Sequence, residues 1–490
     1  MMMVNCKMRS VKRWTAILCS MVMAIATPAL TSGAENPALG DPRTMTFEPV
    51  EFSPPEPERV VLDNGMVVYL LEDHELPLVS LSATMRTGGW LEPADKLGLA
   101  GLTGLVMRTG GGGGLTAEQV DEELEQLAGD VGISIGRQAG SASLDILSKD
   151  VRRGLQIFAG LLRRPAFEPA RVELAKLQAI EGIRRRQDSP GSIVSREFVK
   201  QLYGPDHPTA RESTIESITR ITRDDLVAFH QQTVYPNGII LGVTGDFDRA
   251  VMLALLRATF GDWRKGDVPE LKIPDVPERA GSYSIIRFVN KETSQTHLRV
   301  GHLTIKENDP DYVPFAIAND ILGGSSFRSR LFNDVRTKRG LAYSVGSRVN
   351  TGMHDQGVWL MRAETKLSST QEVISRFVAN IERMRTELVT EEELAEAKEA
   401  YVNSFVFSFS SPSAIVNRFI ELEYDGLPKD FLQQLRARVV ALTKEDLLAA
   451  AKKHFHPDRL TIVAVGSGQV LPKLLSEFGE VKEIKLIPES

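Results

Sequence analysis

The chain has 490 residues, is 42% hydrophobic and 25% charged, and carries a formal net charge of −6 with only two cysteines. That length predicts two or more domains, each large enough to bury a core. The mildly acidic balance excludes the basic footprint of a nucleic-acid binder or of a protein held on an anionic membrane.

Residues 1–34 read as an export signal. Lys7, Arg9, Lys12 and Arg13 precede an apolar run from Trp14 to Leu30, and Ser32-Gly33-Ala34 offers a small-x-small cleavage site. Ser20, Thr27 and Pro28 interrupt that run, which is short for a membrane-spanning helix; an uncleaved anchor is the alternative. Leu18, where a lipoprotein signal places a small residue, argues against a lipid on Cys19. Cleavage takes the formal charge from −6 to −10 and removes both Cys6 and Cys19, leaving no disulfide, thiolate nucleophile or thiolate ligand. The expected location is exported, in the periplasm, with no membrane attachment after cleavage; full secretion is the other option. Residues 35–57 are proline-rich and are expected to form an extended or disordered arm.

From Arg59 to Glu72 the alternation predicts a hairpin turning at Asp63-Asn64-Gly65. Leu78 to Thr87 predicts a strand that leads into a helix containing Gly101. The run Gly110 to Gly114 lacks the Lys-Ser/Thr of a phosphate loop and reads as a flexible loop. Two later series then repeat each other. Ser189-Pro190-Gly191-Ser192-Ile193-Val194, Thr222-Arg223-Asp224-Asp225-Leu226 and Gly238-Ile239-Ile240-Leu241-Gly242-Val243 recur as Ser411-Pro412-Ser413-Ala414-Ile415-Val416, Thr443-Lys444-Glu445-Asp446-Leu447 and Leu460-Thr461-Ile462-Val463-Ala464-Val465. A constant order at an offset of about 220 residues implies a repeated fold unit. Thr222 and Thr443 read as N-caps with acids in the first turn, and the apolar runs after Pro236 and Pro457 read as buried strands.

The predicted fold is therefore α+β, with two tandem homologous domains, each a mixed, mainly antiparallel sheet packed with helices. The domains are placed at 58–264 and 282–490, joined by a proline-rich linker over 265–281.

These pieces resemble the insulinase and pitrilysin family of inverted-zinc-motif metallopeptidases, in its half-size branch that includes the mitochondrial processing peptidase subunits. The carriers are Leu62-Asp63-Asn64-Gly65-Met66, Gly88-Gly89, Gly98-Leu99-Ala100, and Leu331-Phe332-Asn333-Asp334-Val335-Arg336 with Arg339-Gly340-Leu341-Ala342-Tyr343-Ser344. Active members carry H-x-x-E-H on the first-domain helix, two imidazoles for zinc and a carboxylate to activate water. Here those positions hold Gly101, Gly104 and Leu105, none of which binds a metal or accepts a proton. The resemblance implies Glu181 as the residual third ligand, with Glu173 two turns earlier, but one carboxylate does not make a catalytic site. His74, His207, His230, His297, His302, His354, His454 and His456 include no helical i, i+4 pair, and His454-x-His456 reads as an ordinary pair before a strand. Two glycines inside a helix cost about 1 kcal/mol each relative to alanine, which leaves close backbone approach or drift at an unused site as readings.

In full-length relatives the second half supplies an Arg and a Tyr that reach the substrate carbonyl. The resemblance assigns those roles to Arg336 and Tyr343, whose guanidinium and phenol donate hydrogen bonds to an oxygen gaining charge. Without the resemblance, Arg336 would cap a helix C-terminus and Tyr343 begin a buried strand. Leu322-Gly323-Gly324-Ser325-Ser326-Phe327 lies near the place of a relative's glycine-rich substrate loop and reads equally as a plain turn and cap.

The resemblance implies a noncatalytic subunit of an exported heterodimeric zinc metallopeptidase. It would bind no cofactor of its own, with zinc in a paralogous partner that carries the intact motif and with peptides as substrates. The alternative from another class is an inactive peptide-binding or scaffold protein of the same fold; an enzyme using an unrecognised site is a third.

Overall fold

The computed structural model describes residues 55–270, 272–276, 284–325, 327–353 and 355–487. The segment read as an export signal, with Cys6 and Cys19, most of the expected arm, part of the expected linker, Ser326 and His354 lie outside the described residues.

Two six-stranded sheets form, each from one half of the chain. The first uses β1 (Glu58–Val61), β2 (Val67–Glu72), β3 (Leu78–Met85), β4 (Asp130–Ile135), β5 (Gly140–Leu147) and β6 (Ile239–Gly245), in the order β1-β2-β6-β3-β5-β4. The second uses β7 (Ile285–Asn290), β8 (Gln295–Thr304), β9 (Ala342–Asn350), β10 (Gly357–Lys366), β11 (Thr461–Gly466) and β12 (Val481–Glu483), in the order β12-β7-β11-β8-β10-β9. The order β2-β6-β3-β5-β4 repeats as β7-β11-β8-β10-β9, in each case one parallel neighbour pair followed by antiparallel ones. The halves differ at the outer edge, where β1 joins antiparallel and β12 parallel. The mixed, mainly antiparallel α+β reading is borne out.

Helices of the first half are α1 (Leu99–Thr109), α2 (Ala117–Gln126), α3 (Val151–Arg163), α4 (Pro169–Arg185), α5 (Pro190–Tyr203), α6 (Ile215–Arg220), α7 (Arg223–Thr233) and α8 (Arg249–Phe260). Those of the second are α9 (Tyr312–Asn319), α10 (Thr370–Thr386), α11 (Glu391–Phe407), α12 (Pro412–Asp425), α13 (Phe431–Ala441), α14 (Lys444–His454) and α15 (Leu471–Leu475). None of the described helices is long and apolar enough to cross a membrane. The repeated threonines do what their sequence predicts: Thr222 and Thr443 each close a capping box, with Asp225 and Asp446 answering from the first turn.

The repeated Ser-Pro pairs mark the helices that join the halves. Ser189 and Ser411 cap α5 and α12, with proline in the first turn, where its missing N–H costs nothing. Helix α5 then lies on the second sheet, Ile193, Val194 and Phe198 packing with Val289, Val463 and Val465. Helix α12 returns the arrangement, setting Val416 and Ile420 against Tyr69 and Ile240 of the first sheet. Gly242 on β6 permits that approach, since a Cβ there would stand 2.3 Å from Val416 Cγ1. Covered on both faces, β6 and β11 are buried almost throughout, which is why they read as continuous apolar runs rather than alternating ones. At the rim of the exchange, Glu423 accepts from Arg59 at 2.7 Å and from the Tyr69 hydroxyl at 2.8 Å.

The glycine run Gly110–Gly114 is not a flexible loop. Gly111, Gly113 and Gly114 have positive φ, Gly112 bridges to Leu115 and Pro165, and Gly113 packs so closely on α3 that a Cβ would meet Gly160 Cα at 2.8 Å. The glycines are there for backbone geometry and contact, and they tie α1 to α3.

Candidate functional site

Helix α1 carries Gly101, Gly104 and Leu105, the positions to which the resemblance assigns the zinc motif. Its N-terminus is held by Glu92, whose carboxylate accepts the N–H groups of Gly98 at 3.0 Å and Ala100 at 2.6 Å. Burial pushes the Glu92 carboxyl above its ordinary pKa, with those two bonds opposing. The two glycines of the erased motif differ in kind. Gly101 is exposed, and a Cβ added there meets nothing within 4 Å. Gly104 is buried against the edge strand β4, where a Cβ would lie 2.4 Å from Ile135 N and 2.8 Å from the Ser134 carbonyl carbon. Close approach therefore explains Gly104 and does not explain Gly101. A glutamate side chain has no room at 104 while α1 lies on β4.

Leu105 is 39% exposed and offers only hydrocarbon. Glu181 stands on α4 with its carboxylate turned to Arg184 at 2.5 Å, and Glu173 pairs with Lys176 at 3.5 Å. Glycine and leucine side chains supply no donor atom, so the residues present do not fit a zinc ion. Among the described residues no cluster of three or more His, Cys, Asp or Glu side chains is arranged to hold a metal. His454 pairs with Asp311 at 2.8 Å, whereas His302 is fully buried against Trp359 and accepts the His456 N–H; burial drops the His302 pKa to about 3.

The second half does bring Arg336 and Tyr343 together. A π-helical turn over Phe332–Lys338 carries Arg336, the chain reverses at Gly340 with φ of +62°, and β9 starts at Ala342. In the β9–β10 register Glu364 faces Ser344 and Thr365 faces Ala342, so Tyr343 is an extra residue, a β-bulge. The bulge turns Tyr343 out of the alternation and leaves it 79% exposed. The Arg336 guanidinium carbon then sits 4.5 Å from the Tyr343 ring centroid, 4.7 Å from that of Phe332 and 5.9 Å from that of Phe327. This three-ring box holds the cation by its attraction to aromatic faces. Asp334 fixes the turn beneath it, accepting from Arg376 and Asn380 at 2.7 Å and from Arg339 at 3.0 Å. Burial works to raise the Asp334 carboxyl, and the hydrogen bonds outweigh it and hold the pKa below the usual value.

Upstream, Asp320–Gly324 forms a second π-helical turn that rests on β9, where a Cβ at Gly323 would meet Ser347 N at 2.7 Å. The sequence assigns roles to Arg336 and Tyr343, whereas Phe327 and Phe332 enter only as members of the motifs around them. Phe327, 73% exposed, was legible only as an aromatic following a glycine turn. Tyr343 stands at the start of β9 but is exposed rather than buried, and Arg336 lies in the last turn of the π-helical segment with its guanidinium among the three rings.

The described structure therefore holds two copies of one α+β unit, a helix α1 whose Gly101, Gly104 and Leu105 offer no metal-ligating atom, and an Arg/Tyr pair on the second copy. Residues 220–401 match the family described as the peptidase M16 inactive domain. The chain is 25% identical over 401 residues, 81% of its length and 90% of the relative's, to a Helicobacter pylori protein described as the non-peptidase homolog YmxG. It is 23% identical over 364 residues, 74% of its length and 86% of the relative's, to the uncharacterized zinc protease YmxG of Bacillus subtilis. The solved peptidase M16 inactive domain from Pseudomonas fluorescens superposes with a TM-score of 0.76 at 28% identity, over 84% of this chain and 98% of that one. Residues 220–401 thus match the peptidase M16 inactive domain, and the chain as a whole resembles the insulinase- and pitrilysin-like proteins in sequence and fold.

Proposed function

We propose that this protein is the noncatalytic subunit of an exported, periplasmic, heterodimeric zinc peptidase. Its partner is a paralogue that keeps the intact H-x-x-E-H helix, and this chain supplies Arg336, Tyr343 and part of the chamber wall. The observation that carries the reading is the boxed, outward-facing pair. Phe327, Phe332 and the bulge preorganise a guanidinium and a phenol at the surface, while α1 of the same chain has nothing for them to serve. Both groups donate hydrogen bonds, and a preorganised donor of this kind is typically worth about 10² to 10³ in rate at an oxygen gaining charge.

The test compares Tyr343→Phe and Arg336→Ala in the mixture with the partner. Tyr343→Phe removes the hydroxyl and keeps the ring over Arg336, so kcat should fall while the mass of the complex and its assembly affinity stay unchanged. Equal loss of assembly and turnover would make the pair structural. The second reading, a peptide-binding scaffold without catalysis, draws support from the relative described as a non-peptidase homologue. It predicts peptide capture by a stable homodimer and no activity with any zinc-bearing paralogue.

A further inference from the structure

Between the β4–β5 loop of the first half and the face of the second sheet beyond α5 lies an open cleft of about 970 Å³. Its charged lining is Arg137, Arg299, Arg348, Arg362, Asp320 and Asp355. A chain with a net charge of −6 has thus gathered four arginines and two acids around one cavity. Arg362 on β10 stands directly across from Arg299 on β8, and like charges opposite each other on one face are destabilising unless something lies between them. Arg299 donates to Ser195 Oγ at 3.2 Å and to the Leu298 carbonyl, both neutral acceptors. Among the described residues no ion pair neutralises Arg137, Arg348 or Arg362. Glu364, two residues along from Arg362, faces His297 at 3.6 Å.

We infer that this cleft binds an extended peptide segment bearing acidic side chains, with Arg299, Arg348 and Arg362 reading carboxylates along one face of it. Register supports the extended form. Arg348 faces Leu360 and Arg362 faces Gly346, so the two arginines are diagonal neighbours on adjacent strands. Such neighbours are about 7–8 Å apart, close to the ~6.6 Å between alternate side chains of an extended peptide. Guanidinium groups match carboxylates in a bidentate fork, which a scatter of lysines would not. Asp320 and Asp355 offset part of the positive field, and the lining still holds four arginines against these two acids.

The inference deepens the proposed subunit role by naming the class of peptide, but it concerns binding by this chain alone. The test uses three fluorescent peptides of one length with Glu, Ser or Lys at alternate positions, and measures anisotropy with the purified full chain at low and high salt. The Glu peptide should bind about tenfold more tightly than the Ser peptide, the Lys peptide should not bind, and salt should weaken the acidic complex. Arg348→Gln with Arg362→Gln should weaken the Glu peptide about tenfold. Arg348→Glu with Arg362→Glu should transfer the preference to the Lys peptide, a switch that mere loss of structure would not produce. Equal binding of all three peptides, or a preference unmoved by either double variant, overturns the inference. Acidic-peptide binding by a chain that activates no paralogue would overturn the subunit role and leave this inference standing, and turnover in the mixture without acidic preference would do the reverse.

Discussion

Replacing Gly104 by alanine adds one methyl group where a strand backbone already stands. The new Cβ would lie 2.4 Å from Ile135 N and 2.8 Å from the Ser134 carbonyl carbon, so α1 and β4 must separate by about 1 Å to restore ordinary contact at ~3.5 Å. In an open helix interior the same change gains up to about 1 kcal/mol. Forced overpacking costs about 1–3 kcal/mol, and a clash with backbone rather than a mobile side-chain tip belongs at the upper end. The expected balance is a loss of about 1–2 kcal/mol for Gly104→Ala. Gly101→Ala, which meets nothing within 4 Å, should gain about 0.5–1 kcal/mol. Urea unfolding followed by circular dichroism, with the slopes compared to confirm that the denatured state is unchanged, reads both signs directly. Equal stabilisation by the two substitutions would refute the reasoning, because it would mean that α1 does not lie on β4 and that Gly104 is there by drift.

The cross-half contact at Gly242 should behave similarly: Gly242→Ala is expected to lower the unfolding midpoint by an overpacking cost of about 1–3 kcal/mol, and Val416→Ala in the same chain should recover part of it, measurable as a double-mutant cycle. Asp320 gives a pH signature. With its native pKa pushed up to about 6 by burial, the folded chain keeps a proton that the unfolded chain releases above its ordinary value of 3.8. Stability from this group is therefore full below pH ~4 and lost as pH rises toward 6, and Asp320→Asn should flatten that slope and stabilise the protein at pH 7 by up to about 3 kcal/mol. The purified chain should also bind no stoichiometric zinc, checked by metal analysis after dialysis; one tightly held ion per chain would contradict the blank site.

What could be read from the sequence was local. The N-caps at Thr222 and Thr443, the turn at Gly65 and the buried strands after Pro236 and Pro457 depend on neighbours a few residues away, and they fall where expected. The repeat of Ser189-Pro190 and Ser411-Pro412 is visible in the sequence, but its consequence, a helix of each half laid on the other's sheet, depends on contacts between residues far apart in the chain, such as Val194 with Val463 and Val416 with Tyr69. Tyr343 was assigned from its motif, whereas its exposure comes from a bulge set by the β10 register, which no local pattern encodes. Phe327 and Phe332 stand in the quoted motifs, but their place around Arg336 depends on the π-helical turn and the bulge, which no local pattern encodes. The glycines at 110–114 were misread for a related reason: composition suggests freedom, and the structure shows tight turns against Gly160. The four cleft arginines lie on three strands and a loop, and only the sheet register brings them together.

The most direct test of the account is hydrolysis of a quenched fluorescent peptide library by the mature protein, by its nearest paralogue with an intact H-x-x-E-H helix, and by an equimolar mixture. The account predicts no turnover by this chain, little by the paralogue, and activity in the mixture that is lost on Arg336→Ala. Activity of the paralogue that does not rise on mixing would contradict it.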